Sequence, residues 1–439
     1  MDILIKILQF ILSFSLLIII HELGHFMFAR IFRVRVERFQ LFFGKPIFSF
    51  KKGDTEYGIG WIPFGGFVKM AGMIDESMDT DFVGQDPQSY EFRSKPAWQR
   101  LLIMVGGVLM NLVLAFLIYV GMSYAWGDQY LSTSDMKYGY AFSELAEEMG
   151  FRDGDKIITV NGKHYEDFDQ MRAVLLIEQN NRVEIERDGQ VLEIVTPDVA
   201  ISRIGADFIT PRYPFVIDSA IAGGTANLAG LRHGDRLVSF NDTPMTFFDQ
   251  YLDQFSINKG TLADIGVQRD SAGVLLTKVI PVRISDDGKI GASIDLEAVT
   301  PIHDRRYTLL QSFPAGFKRT GSEISGYWKQ LKLIFKPKTE AYKSLGGPLS
   351  IGNIFPSTWD WYRFWNITAL LSVILAIMNI LPIPALDGGH VLFLLVEVIT
   401  GRKPGDKFMT YAQLVGLALL LMLMIYATGN DIYRLFIKQ

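Results

Sequence analysis

The 439-residue chain contains no cysteine, so disulfides, iron–sulfur clusters and thiolate-ligated zinc are all excluded, and any metal must use histidine, carboxylate or water. Charge is scarce as well. Only 21% of residues are Asp, Glu, Lys or Arg, and a net charge of −4 argues against nucleic acid as a partner, which would call for a concentrated basic surface. What is present in excess is apolar: 49% hydrophobic and 13% aromatic, more than a soluble chain usually carries. The apolar residues lie in a few long runs, and the length allows about two or three domains.

Four runs can each hold the about 20 helical residues that cross a hydrocarbon core of roughly 30 Å. They cover 3–32, 101–126, 364–399 with a Pro/Gly-rich break at 382–389, and 409–427. The first is followed by Phe26, Met27, Phe28 and Ala29 rather than a small-residue cleavage site, and it carries a motif, so it reads as a span and not as a cleaved signal peptide. Arg30, Arg33, Arg35, Arg38 and Lys45 follow the first span, and Arg93, Lys95 and Arg100 precede the second. That segment is expected on the cytoplasmic side, and Arg402, Lys403 and Lys407 between the last two spans agree. Both termini and the long segment 127–362 then fall on the outer side.

The outer segment contains a repeat that aligns without gaps. Residues 146–161, with Gly150, Gly154, Asp155 and Asn161, reappear 80 positions later as 226–241, with Gly230, Gly234, Asp235 and Asn241. Such a period suits two globular modules in tandem rather than a solenoid. In each copy a short helix ends at glycine, a Gly-Asp turn follows, and a β-branched strand runs into an Asn-Gly or Asn-Asp turn. The pattern resembles PDZ domains, which bind extended peptides by strand addition; the lesser reading is that one or both modules are spacers. Beyond them, 305–345 reads as a basic, aromatic helix lying near the membrane surface. On the cytoplasmic side, Ile47 to Phe50 and Thr55 to Ile59 flank Lys51 to Asp54 as a β-hairpin, and a Gly-rich stretch from Trp61 to Lys69 follows. So many large apolar residues on a short sheet would invite aggregation in water, and they make sense if the sheet dips into the membrane face of the protein.

The chemistry starts at His21, Glu22, Leu23, Gly24 and His25. Histidines at i and i+4 share one helix face and can bind one Zn²⁺, while the adjacent glutamate can reach a water acidified by the metal. Glu22 as base and a polarised carbonyl give peptide-bond hydrolysis in outline. In a soluble helix this motif is often chance, but two histidines and a glutamate inside an apolar run are costly unless functional. Two imidazoles leave a catalytic zinc one ligand short. Asp387 is the best third candidate, because Pro382, Pro384, Gly388 and Gly389 break the helix around it and let a short carboxylate turn toward the first span. His390, three residues on, is the rival ligand. His164, His233 and His303 read as ordinary surface histidines of the outer segment.

These motifs together resemble the bacterial site-2 proteases, zinc metalloproteases that cleave within the membrane, and most closely their regulator-of-sigma-E-protease branch. The similarity covers nearly the whole chain: residues 21–25, 63–72, the tandem repeats, 346–352, 379–390 and 424–432. It implies that His21, His25 and Asp387 bind a single Zn²⁺ and that Glu22 is the catalytic base. It further implies that Asn379 contacts substrate backbone, and that the hairpin with Gly65, Gly66, Phe67 and Val68 presents an edge to an unwound substrate. In the second span, Gly106 and Gly107 precede Asn111 where such proteins often have Gly-Pro, which leaves the role of Asn111 open.

The expected architecture is a polytopic α-helical membrane protein of about four transmembrane helices, with a membrane-associated β-hairpin or sheet and two α+β PDZ-like domains. Its parts are a first span at 1–33, a cytoplasmic β region and loop at 34–100, and a second span at 101–126. PDZ-like domains follow at 127–208 and 209–290, then a juxtamembrane segment at 291–362, a third span at 363–400 and a fourth with the C-terminal segment at 401–439. A helix rises about 27 Å from Ile3 to His21, so a metal there would lie in the cytoplasmic half of the bilayer. The function implied is hydrolysis within transmembrane segments of single-span membrane proteins, such as an anti-sigma factor or remnant signal peptides, in the bacterial inner membrane. A scaffold with a dead site and a metal transporter are the other readings. The intact His21, Glu22, His25 and Asp387 speak against the first, and the single visible ligand cluster against the second.

Overall fold

In a computed structural model, which describes residues 2–73, 85–205, 207–271, 273–299, 301–403 and 405–436, the first apolar run is one helix, α1 (Asp2–Ile31). Its buried residues, Gln9, Ser13, Leu17, Ile18, His21, Gly24, His25 and Ala29, fall along one stripe of the helix. The stripe holds the polar Gln9, Ser13, His21 and His25, while Ile3, Leu4, Ile7, Leu8 and Leu12 are exposed. A helix in lipid is built this way, because polar groups must be satisfied inside the protein. Gln9 donates to the Pro356 carbonyl at 2.9 Å, and Ser13 meets the Thr368 hydroxyl at 2.9 Å.

Two strands follow, β1 (Val36–Lys52) and β2 (Thr55–Met70), paired antiparallel with several register shifts. Both are bent, so residues 36–41 pair on one side with 56–59 and on the other with 66–70. The hairpin is thus longer than its sequence suggests, and it folds back into a small sheet with 66–70 along one edge. Ile47, Phe48, Phe50 and Trp61 are exposed on it. Arg38 lies 2.8 Å from Glu56, and hydrogen bonds from Arg38 and then Ser49 hold the Glu56 carboxyl below its ordinary value. Of the region expected over 34–100, residues 74–84 lie outside the described residues.

Helix α2 (Ala97–Ala125) buries Arg100, Ile103, Gly106, Gly107, Asn111, Ala115 and Tyr119 along one side. Within the last part of the 127–362 segment lies α3 (Leu309–Ile334), and α4 (Trp361–Ile380), α5 (Asp387–Thr400) and α6 (Asp406–Phe436) follow. Helices α1, α2, α4 and α6 are long and apolar enough to cross a membrane. The third run divides in two, because Pro382 and Pro384 cannot donate to a helical ladder and Ala385 turns the chain at φ 75°. Its second half, α5, has 14 residues, a rise of about 21 Å that falls short of a full crossing. Helix α3 packs Ile324, Tyr327 and Leu331 against Ala115, Val373 and Ile377 of α2 and α4.

The chain forms two compact units: the described residues of 1–127, 306–332 and 342–439, and those of 128–305 with 333–341. In the second unit the sequence repeat becomes two similar α/β modules. A short helix, a turn and a strand recur as Glu144–Glu148 with Lys156–Val160 and as Thr225–Leu228 with Arg236–Phe240. The Gly-Asp turn has the same anchor in both. Asp155 and Asp235 are buried, and each takes a two-pronged contact, from Arg187 at 2.7 Å and from Arg269 at 2.6 and 2.7 Å. Ile209–Pro211 pairs with Tyr140–Phe142 and so closes the first module, and Ala292–Ile294 pairs with Ile217–Ala220 and closes the second. Neither closing strand lies inside the repeat, so the repeat could not reveal it. Arg212, just past the first of these strands, reaches Asp153 at 3.4 Å and Asp249 at 3.1 Å, while burial raises the Asp249 carboxyl above its ordinary value.

Candidate metal centre and active site

One turn of α1 brings His21 and His25 onto its buried stripe, with their rings 4.8 Å apart and nearly perpendicular. Their Nε2 atoms are 3.2 Å apart. Asp387, the first residue of α5, places Oδ2 at 3.1 Å from His21 Nε2 and 3.2 Å from His25 Nε2. Three ligand atoms at the corners of a nearly equilateral triangle suit a tetrahedral ion, whose bonds of about 2.0–2.2 Å set neighbouring ligand atoms about 3.3 Å apart.

The protons agree with that fit. His25 Nδ1 lies 2.9 Å from the Ile103 carbonyl, which can only accept, so Nδ1 carries the hydrogen and Nε2 is the atom left to offer a lone pair to an ion in the triangle. Among the described residues, the buried Asp387 Oδ2 has no hydrogen-bond partner beside the two imidazole Nε2 atoms that it faces. An anionic oxygen facing imidazole lone pairs lacks a cation. The Asn111 carboxamide lies 3.2 Å from His21 Nδ1, and its Oδ1 has no partner when Nδ2 faces the ring. Turning the amide over lets Oδ1 accept from Nδ1–H, which satisfies both groups and frees His21 Nε2 as a ligand. The sequence left Asn111 without a role, and its place behind His21 is visible only in three dimensions.

Close approach of α1 and α2 depends on glycine. A Cβ on Gly107 would stand 2.4 Å from His25 Nε2 and 2.6 Å from His21 Cε1. Glu22 is half-buried beside His21, on the side of α1 facing the small sheet. A Cβ on Gly66 would meet Ile18 Cγ2 at 2.7 Å and Glu22 Cγ at 3.6 Å, so the edge strand runs directly past the glutamate. Along that strand Gly66 pairs with Leu41, Phe67 with Gln40 and Val68 with Phe39, while Gly65 precedes them at φ 68°. Asn379, near the end of α4, brings Nδ2 to 3.4 Å from His21 Nε2.

His21, Glu22, His25, Asn379, Asp387 and the Gly65–Val68 stretch therefore converge from α1, α4, α5 and the sheet. His390 does not join the triangle; its Nε2 lies 2.8 Å from the Gln413 side-chain amide of α6. His164, His233 and His303 are exposed in the second unit and bonded locally, to the carbonyls of Ile158 and Asp218 and to the Asp135 carboxylate. Among the described residues, His21, His25 and Asp387 are the one group of three such side chains close enough to share an ion.

The sequence profile of peptidase family M50 matches residues 9–423. The chain belongs to this family, that of the site-2 proteases. It is similar to a protein of Neisseria meningitidis named as a zinc metalloprotease, 30% identical over 98% of this chain and 99% of the relative. It is also similar to the regulator of sigma E protease of Haemophilus influenzae and to RseP of Escherichia coli, each 29% identical over 97% of this chain and 98% of the relative. This M50 protein is accordingly a membrane metalloprotease of the site-2 type that uses zinc, and α1, which carries His21 and His25, is long and apolar enough to cross a bilayer.

Proposed function

We propose that this M50 protein hydrolyses peptide bonds inside the transmembrane segments of single-span membrane proteins, with one zinc ion held by His21, His25 and Asp387. The observation that carries the reading is the buried triangle of two imidazole nitrogens and one carboxylate oxygen at 3.1–3.2 Å. Zinc bound there would acidify a water and polarise the scissile carbonyl. Glu22 would serve as general base toward the attacking water and then as general acid toward the leaving amine. The Asn379 amide donates to the carbonyl oxygen as negative charge gathers on it. Ile103 and Asn111 fix the ring orientations from behind, which keeps the lone pairs aimed inward.

A helical substrate hides its amides in its own hydrogen bonds and must be unwound before attack. The edge from Gly65 to Val68 is suited to hold the unwound stretch as an added strand, and its course past Glu22 supports this. By the charge beside the spans, the site opens toward the cytoplasm, and both termini and the modules face the periplasmic side of a bacterial inner membrane. The two modules are read as PDZ-like domains that restrict access of substrates with bulky outer parts. The relatives named as regulators of sigma E support a role in regulated proteolysis, and the substrates proposed for it are an anti-sigma factor or remnant signal peptides.

The test is zinc content together with cleavage of a model single-span substrate by purified protein. Glu22→Gln should keep its zinc and lose cleavage, since it removes the base and leaves the ligands. Cleavage at the wild-type rate by Glu22→Gln protein would overturn the assignment.

A further inference from the structure

Arg100 and Glu397 form an ion pair between the first turn of α2 and the last turn of α5, with side chains only 8% and 15% exposed. Arg100 Nη2 contacts Glu397 Oε1, and Arg100 Nε donates to the Lys95 carbonyl at 2.9 Å. A buried ion pair gives little net stability over apolar packing, so its presence calls for another reason.

That reason lies in what each partner is attached to. Arg100 is three residues from Ile103, one turn along the buried side of α2, and the Ile103 carbonyl holds His25 Nδ1. Glu397 is ten residues from Asp387, about 15 Å farther along α5. The N-terminal end of α5 emerges from a break with two prolines and a left-handed Ala385, and among the described residues Asp387 Oδ2 faces only the two imidazole nitrogens. Between these ends, α5 meets α2 through Val391 and Leu394, in the same core as Ile103 and Met104. Apolar packing is non-directional and tolerates a small slide, whereas a guanidinium–carboxylate contact has a fixed geometry.

We propose that the Arg100–Glu397 pair sets the axial register of α5 along α2, and thereby the height of Asp387 against His21 and His25. One turn of α2 then references the two helices that supply the ligands: α1 through the Ile103 carbonyl, α5 through Arg100. Both are positioning residues and touch no reacting atom. The inference rests on the reading that His21, His25 and Asp387 hold the zinc.

The test uses full-length protein in detergent, with zinc affinity read by chelator competition and the cobalt-substituted protein read by its visible absorption. Glu397→Gln and Arg100→Gln should weaken zinc binding by about tenfold or more, as loss of an outer-shell partner does. They should also change the cobalt band and lower kcat with little effect on KM. The exchange Arg100→Glu with Glu397→Arg should recover much of the affinity. Glu397→Asp keeps the charge and withdraws the carboxylate by one methylene, so it should fold and still alter the cobalt band. Wild-type affinity and an unchanged cobalt band in folded Glu397→Gln or Glu397→Asp protein would overturn the proposal. Asp387→Ala separates the two readings: if it loses zinc while the Glu397 variants do not, only the register role fails, and if it keeps zinc, the ligand assignment fails first.

Discussion

Substitution of Gly107 by alanine tests the packing behind the metal ligands more sharply than removal of a ligand does. The added methyl would stand 2.4 Å from His25 Nε2 and 2.6 Å from His21 Cε1, where ordinary contact begins at 3.4 Å. Something must give by about 1 Å, and each way of giving damages the site. If α2 recedes, the Ile103 carbonyl recedes with it, and the 2.9 Å bond to His25 Nδ1 opens to about 3.9 Å, beyond hydrogen-bond reach. If the rings tilt instead, Nε2 leaves the triangle. Overpacking of this size costs about 1–3 kcal/mol, which corresponds to a loss of about 5- to 150-fold in zinc affinity if it falls on the bound geometry. The control lies on the same helix: nothing stands within 4 Å of a Cβ on Gly121, so Gly121→Ala should leave zinc binding unchanged. Its better helix propensity, worth up to about 1 kcal/mol, should if anything stabilise the protein. Chelator competition on the two variants side by side decides the matter. Wild-type zinc affinity and cleavage in Gly107→Ala would refute the idea that helix contact at this glycine shapes the site.

Two further outcomes follow from the same geometry and from the proposed access role. Asp387→Ala should lower zinc occupancy together with activity, while His390→Ala, whose ring faces Gln413, should stay loaded; the opposite pattern in metal analysis would show that the third ligand has been misassigned. Removal of residues 130–285 should let substrates with large outer domains be cleaved while short ones are still cut, as measured with a pair of substrates differing only in that domain. Unchanged discrimination after deletion would refute a filtering role, and loss of all cleavage with zinc retained would favour recruitment of substrate by the modules.

The sequence alone determined what depends on local pattern. Apolar runs of sufficient length have few alternatives to helix, the 80-residue repeat required two similar modules, and histidines at i and i+4 had to share a face of α1. The break before Asp387 was legible too, because proline removes a backbone donor wherever it stands. What the sequence could not supply were the relations between elements distant along the chain. Nothing local pairs Asn111 with His21, directs His390 to Gln413, or tells that Glu397 meets Arg100 across 297 positions. The double pairing of residues 36–41, which turns a hairpin into a sheet with one edge along Glu22, arises from bends and register shifts that alternation of residue types does not encode. Metal ligation adds the strictest requirement of this kind. As proposed, it needs atoms from α1 and α5 placed within tenths of an ångström, and only the packing of both helices on α2 decides where those atoms lie.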